Sequence, residues 1–365
     1  MPDSRPNVEL DATGRCNGAT FDEKSRIDWG NRERLFRDVV ETSKHRSEGH
    51  DCLIPVSGGK DSTWQVIKCL EYGLNPLCVT WKTPVRTELG QRNLDNLISL
   101  GVDHIDYRIN PEVERRFLLK SFEKLGTTAL PMHMALFAIP LMIATRFSIP
   151  LVVWGENSAF EYGGPEDQRR GFKLDSEWLK RYGVTHGTTA ADWVDDELTQ
   201  KAMTSYFMPS DAEITAAGVR AVFLGYYFHW DPVETFQAAK ARGFEERAEG
   251  AKTGYYAFAD IDDDFIISIH HFMKWYKFGF TRLWDNLALE IRHNRMTREE
   301  AVGIITEHGD ETPHEDIAAF CSYVDISEKR FFEIANSFRN PDIWSRNQDG
   351  AWHIRDFMIP DWQWT

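Results

Sequence analysis

The sequence predicts an α/β protein built on a doubly wound parallel sheet, with a mainly helical C-terminal region. Three observations predict it. Short apolar runs alternate with helix-length stretches over roughly the first 160 residues, the pattern of parallel strands joined by helices. A glycine-rich turn, Ser57-Gly58-Gly59, joins the first such run directly to a helical pattern. From about Asp264 onward the strand-like runs give way to helical spacing dense in aromatic residues.

The elements follow in order. Leu53-Ile54-Pro55-Val56 is a short apolar strand ending in the glycine turn. Residues 61–72 have helical spacing, and Gly73 suits a helix stop. Leu77-Cys78-Val79-Thr80-Trp81 is the second strand, residues 89–100 a helix ended by Gly101, and His104-Ile105-Asp106-Tyr107 the third strand. Helices over 111–125 and 133–147 precede the strongly apolar strand Leu151-Val152-Val153-Trp154, which runs into Gly155. Ala221-Val222-Phe223-Leu224 reads as a further strand after an irregular, charged segment. Thr297-Arg298-Glu299-Glu300 is a capping box, and Ser327 marks another helix start. Three regions are expected: an N-terminal extension over 1–45, a nucleotide domain over 46–260 and a helical substrate or partner region over 261–365.

Composition narrows the function. A chain of 365 residues with 42% hydrophobic and 27% charged residues is globular in character. Its most apolar stretch, residues 129–153, is broken by His133, Pro140, Arg146 and Pro150, so no membrane span is expected. The N-terminus lacks the apolar core of a secretory signal, and a cytoplasmic location is expected. A net charge of −15 argues against a nucleic-acid partner, which needs cations facing phosphates. The five cysteines contain no C-x-x-C pair, so neither a disulfide framework nor a zinc knuckle is expected.

The segment Val56-Ser57-Gly58-Gly59-Lys60-Asp61-Ser62 carries the chemistry. Consecutive glycines permit backbone conformations closed to other residues and let a phosphate approach. Amides of the turn and of the first helical turn then point at the anion, helped by the helix dipole. Lys60 is placed to neutralise phosphate, Asp61 to hold Mg²⁺, and Ser57 and Ser62 to donate hydroxyls. The spacing is not that of G-x-x-x-x-G-K-[ST]. It resembles the pyrophosphate loop of the ATP pyrophosphatases, which cleave ATP to AMP and pyrophosphate and so activate a carbonyl-type oxygen for a nitrogen nucleophile. In that layout Thr80 and Trp81 fall where adenine or ribose contacts are expected, though core or rim positions suit them equally.

Gly155-Glu156-Asn157 follows the most apolar strand, and Glu161-Tyr162-Gly163-Gly164 lies shortly after it. The C-terminal end of a parallel strand delivers its loop to the ligand crevice, so Glu156, Asn157 and Glu161 are candidate catalytic residues beside Lys60 and Asp61. Farther on, Lys277, Arg282 and Arg292 are candidate grips for a phosphate or an acidic sugar; an amphipathic helix with solvated charges is the plainer reading of the same stretch.

These segments together resemble the N-acetyl sugar amidotransferase family of surface-polysaccharide synthesis. The likeness also takes in Gly73-Leu74-Asn75-Pro76, Lys277-Phe278-Gly279-Phe280 and Ile291-Arg292. It implies ATP and Mg²⁺ as cofactors and conversion of an acetamido group of a nucleotide sugar to acetamidino, within lipopolysaccharide O-antigen synthesis. It implies a separate glutaminase, resembling the amidotransferase subunit of histidine biosynthesis, as the source of ammonia; a cyclase-like companion is the further partner it admits. The family commonly opens with cysteine pairs; here Cys16 stands without them and Ala19 occupies the last ligand position, so no zinc and a less well ordered N-terminus are expected. Two other readings stay open: a tRNA thiolase or lysidine-type ligase of the same superfamily, and a non-catalytic ATP-binding regulatory subunit.

Overall fold

The computed structural model describes residues 4–162, 185–309, 311–354 and 357. Gly163 and Gly164, singled out from sequence, lie outside the described residues. Five strands form one parallel sheet in the order β3-β2-β1-β4-β5, where β1 is Cys52–Pro55, β2 Pro76–Trp81, β3 Asp103–Tyr107, β4 Leu151–Trp154 and β5 Arg220–Phe223. The chain winds outward from β1 to β3, then returns to lay β4 on the opposite side of β1. That reversal opens a crevice at the C-terminal ends of β1 and β4, where open α/β sheets hold their ligands. The doubly wound parallel sheet predicted from sequence is the observed architecture.

Strand sequences without a polar face imply burial on both sides, and the packing shows it. Leu53, Leu77, Val79 and Val152 point into one core, while Cys52, Ile54, Cys78, Leu151 and Val153 point into the other. The first core is covered by α5 (Pro111–Leu125) and α6 (Leu130–Arg146), the second by α2 (Trp29–Arg46), α3 (Lys60–Glu71) and α4 (Glu88–Ile98). Helix α2 lies within the stretch expected as an extension, yet Phe36, Val39 and Val40 are sheet-facing core residues. Helix α6 starts at Leu130, ahead of the expected 133, because Pro131 suits the first turn of a helix, where its missing N–H is not needed.

Beyond β5 come α8 (Pro232–Lys240; α7 is Ser158–Tyr162) and then the C-terminal helices, which include α9 (Ile266–Phe278), α10 (Arg282–Arg292) and α11 (Arg298–His308). The Thr297–Glu300 capping box forms with both of its hydrogen bonds. The C-terminal region has one small cluster of its own, around Phe280, Trp284, Leu287 and Ile305, and shares its larger one with the sheet's helices. Phe265, Phe272, Trp275 and Phe320 interleave with Leu118 and Phe122 of α5 and Met132 of α6. A hairpin of Trp344–Arg346 and Trp352–Ile354, not foreseen from sequence, closes this side. Among the described residues no helix is long and apolar enough to cross a membrane.

The described N-terminal residues, expected from sequence to be less well ordered, make specific contacts. Ser4 donates to the Phe278 carbonyl, Arg5 pairs with Asp285 at 3.0 Å, and Ala19 N–H donates to the Phe160 carbonyl. Lys24 reaches into the interior to meet Glu161 at 2.6 Å, both side chains only 2% exposed. Buried charges of this kind fix their backbone, because leaving either one unpaired is costly.

Candidate functional site

β1 ends at Pro55, Val56 N–H donates to the Val79 carbonyl, and the chain then turns into α3. Gly58 adopts φ +90°, and a Cβ there would come within 2.8 Å of the Leu94 backbone nitrogen, so only glycine serves. The turn is braced from within: Ser57 Oγ accepts from Gly59 N–H at 3.2 Å, and Ser62 Oγ donates to the Gly59 carbonyl at 3.0 Å. Gly59 is the N-cap of α3 and offers no side-chain oxygen to its amides, which leaves the helix N-terminus available to an anion.

The loop borders a pocket of about 180 Å³ lined by Ser57, Gly59, Lys60, Asp61 and Glu156 from the sheet crevice. Tyr162, Trp230, Tyr256, Phe258, Asp260, Asp262, Arg282 and Asn286 are among its other lining residues. Lys60 is 7% exposed, meets Asp61 at 2.6 Å, and has the Trp230 and Phe258 rings 5.6 and 5.4 Å from its ammonium. Asp61 Oδ1 also accepts from Trp230 Nε1 and Thr235 Oγ1, each at 3.1 Å, which fixes the carboxylate in one orientation.

The outer wall arrives from far along the chain. Residues 260–263 dock on the N-terminal end of α4, where Thr87 N–H donates to the Asp262 carbonyl at 3.3 Å and the Thr87 hydroxyl to that of Ile261. Gly90 permits the contact, since a Cβ there would stand 2.7 Å from Asp262 Cα. Asp262 thereby comes to line the same pocket as Ser57 of the phosphate loop.

Charge in the pocket is unevenly held. Burial, reinforced by the neighbouring Asp61 carboxylate, pushes Glu156 up to about 7. Burial and the charge of Asp260 likewise raise Asp262. Asp260 goes the other way: burial opposes its ionisation, but His271 and Arg282 hold it well below the usual range. Two buried donors lining the pocket, Arg282 Nε and Asn286 Nδ2, have no hydrogen-bond acceptor. Buried donors without a hydrogen-bond acceptor, beside an uncapped helix N-terminus and a lysine, suit a polyanion such as a nucleoside triphosphate. Asp61 and Asp262 supply hard oxygen ligands of the kind Mg²⁺ takes together with phosphate oxygens. Among the described residues no three metal-ligating side chains converge, so such an ion would depend on the phosphates for part of its shell.

The other residues singled out from sequence lie elsewhere. Glu161 is paired with Lys24 and does not line the pocket. Asn157 Oδ1 accepts from Ala159 N–H at 3.0 Å, starting α7, while Gly155 carbonyl accepts from Gly225 N–H. Thr80 Oγ1 is 2.8 Å from His104 Nε2, and Trp81 Nε1 donates to Glu114, so both side chains are engaged with the β3–α5 side. Lys277 donates to the Leu125 carbonyl at 2.9 Å, and Arg292 Nη1 to Cys16 Sγ at 3.5 Å. Of the three distal cations, Arg282 alone lines this pocket. Sequence reasoning missed Trp230, Tyr256, Phe258, Asp260, Asp262 and Asn286. The acidic run from Asp260 to Asp264, directly after Tyr255-Tyr256-Ala257-Phe258, was the available signal.

Comparison with known proteins gives two kinds of match. Residues 249–358 match the family described as "LPS biosynthesis protein WbpG-like, C-terminal domain". That span contains Tyr256, Asp260, Asp262, Arg282 and Asn286, the outer wall of the pocket. No curated protein matches the chain. Among solved structures, NMN synthetase from Francisella tularensis is 13% identical at a TM-score of 0.27, covering 59% of this chain and 94% of its own. NH3-dependent NAD synthetase from Campylobacter jejuni subsp. jejuni NCTC 11168, in complex with the nitrate ion, is 16% identical at 0.28, covering 59% and 93%. Superpositions that loose carry no functional weight.

Proposed function

We propose that the chain is an ATP-dependent, carbon–nitrogen bond-forming ligase that releases AMP and pyrophosphate and converts an acetamido group of a nucleotide sugar to acetamidino. The observation that carries this reading is the meeting of an uncapped, glycine-turned phosphate loop with Glu156, a carboxyl that titrates near neutrality, in one pocket. The resemblance to N-acetyl sugar amidotransferases and the lipopolysaccharide-synthesis description of the C-terminal match support the choice of substrate.

ATP supplies an adenylyl group to the acetamido oxygen, making that oxygen a good leaving group as AMP. The chain's residues do the rest. Amides of Gly59 and Lys60 cradle phosphate, Lys60 and Arg282 neutralise it, and Asn286 Nδ2 adds a donor. Asp61, held by Trp230 and Thr235, and Asp262 would hold Mg²⁺, which would offset charge on the phosphate oxygens. Glu156, ionised above its raised pKa, accepts a proton from the attacking nitrogen as AMP leaves and ends the step as the neutral acid. Aromatic walls from Trp230, Tyr256 and Phe258 exclude water that would otherwise hydrolyse the activated group. Ammonia comes from a partner glutaminase, with a cyclase-like companion as a further partner, and the reaction is cytoplasmic.

A tRNA thiolase is the less favoured reading. It needs a low-pKa thiol beside the nucleotide, whereas burial pushes Cys52 and Cys78 far up and neither lines the pocket. Incubating the purified chain with ATP, Mg²⁺, ammonium and a panel of UDP-linked diacetamido sugars, read by mass spectrometry, tests the proposal. AMP and an amidine product are expected together. AMP formed only with an RNA or carboxylate substrate removes the sugar assignment. ATP binding without AMP under every condition, glutaminase included, puts a regulatory subunit in its place.

A further inference from the structure

Helix α9 carries His270, Lys274 and Lys277 at spacings of four and three, which sets them on one face. The turn from α5 into α6 stands opposite. Lys277 donates to the Leu125 carbonyl, His270 Nδ1 lies 3.0 Å from Thr127 Oγ1, and the His133 ring, in the first turn of α6, has its centroid 6.0 Å from that of His270. All four side chains are half-buried, so solvent and ligand can still reach them. The 17-residue helix α6 has no side-chain cap at its N-terminus, which adds partial positive charge to the same place.

Among the described residues, few carboxylates stand against the cations of α9. Lys274 shares Asp285 with Arg5, and His271 shares Asp260 with Arg282. No carboxylate pairs with Lys277 among the described residues, and burial pulls it down to about 8. Burial, then the neighbouring Lys274, His271, His133 and Lys277, drive His270 well below its ordinary value. The dipole of α9 accounts for Lys277 in its last turn but not for the histidines. Cationic and cation-capable groups crowded at a half-buried surface are unfavourable until an anion sits among them. The stripe also begins one side chain from the proposed ATP pocket: the rings of His270 and His271 are 5.6 Å apart, and His271 Nδ1 is 3.4 Å from Asp260, which lines that pocket.

Resting on the reading above that a second substrate is activated at this pocket, we propose that the phosphate-bearing part of that substrate, of the nucleoside diphosphate class, binds across Lys274, Lys277, His270 and His133. The substrate's reactive end then extends past His271 to the phosphate loop. Pyrophosphate offers the same chemistry from another source, since it is a product of the proposed reaction.

Calorimetric titration of the full chain, saturated with α,β-methylene ATP, separates these sources. UDP should bind beside the analogue, and Lys277→Gln and His133→Gln, on different elements, should each weaken it about tenfold. Analogue affinity should change by less than about twofold, which also certifies that each variant is folded. UDP binding unaltered in both variants, or UDP displaced by the analogue, overturns the inference. So does pyrophosphate binding where UDP does not, because the stripe then serves a product. If the analogue itself fails to bind the parent chain, the ATP reading falls first. If it binds and AMP forms while UDP ignores the stripe, this inference alone falls.

Discussion

Lys60 and Asp61 meet at 2.6 Å at the start of α3, yet their chemistry toward ATP differs: the ammonium neutralises phosphate and the carboxylate is a ligand for its cation. Lys60→Ala should lower the rate of AMP formation by about 10²- to 10³-fold, as removal of one preorganised charge-stabilising donor does elsewhere, with unfolding midpoints little changed. Glu156 gives a pH signature. Its pKa is raised and the ionised form is the base, so the rate should rise as pH climbs through about 7 and level off above it. Rates corrected for the free-ammonia fraction check this, and Glu156→Gln should remove the dependence together with most of the activity. Glu161 is different in kind. Lys24→Met should destabilise the protein by about 3–5 kcal/mol by stranding a buried carboxylate, and adding Glu161→Leu should restore much of that loss in denaturant melts. A catalytic Glu161 would instead leave the double variant stable but inactive. The sequence made Lys60, Asp61 and Glu156 legible because strand, glycine turn and helix are local signals. It could not reveal that Trp230, 169 positions away, holds Asp61, since indole donors carry no motif.

At the level of elements, the pocket is a joint between α3, the β4 loop and the 260–263 segment lying on α4. Gly90 is the hinge pin of that contact, and its helical backbone accepts alanine without strain, so the added Cβ acts chiefly against Asp262, at 2.7 Å from its Cα, and secondarily against the Thr87 hydroxyl at 3.1 Å. Gly90→Ala should therefore weaken ATP-analogue binding several-fold in calorimetry while α4 itself is slightly favoured by about 0.5–1 kcal/mol. Unchanged affinity would mean that Asp262 plays no part in the phosphate site. Strands β1, β2 and β4 were readable because residues buried on both faces form unbroken apolar runs. The start of α6 was not, because Pro131 reads first as a breaker and only afterwards as a first-turn residue. Docking of 260–263 was hidden for a further reason: an acidic run reads as solvent-facing until a partner surface is known.

Across the whole molecule, the nucleotide sheet and the C-terminal helices share a core in which Phe122 and Met132 pack with Phe265, Phe272 and Phe320. A shared core couples the halves, so thermal unfolding followed by sheet-side and C-terminal probes should give coincident transitions. Separate transitions would mean that the outer wall of the pocket folds and opens independently. The sequence separated a nucleotide domain from a helical region at about residue 261, but periodicity cannot report that helices from both sides pack into one common cluster.

The central claim is that the acetamido oxygen attacks the α-phosphorus of ATP at this pocket. Labelling that carbonyl with heavy oxygen and weighing the products tests it directly. The label should leave the sugar and appear in AMP, with unlabelled pyrophosphate and an amidine product. Label retained in the sugar while ATP is consumed, or recovered in inorganic phosphate, would contradict it.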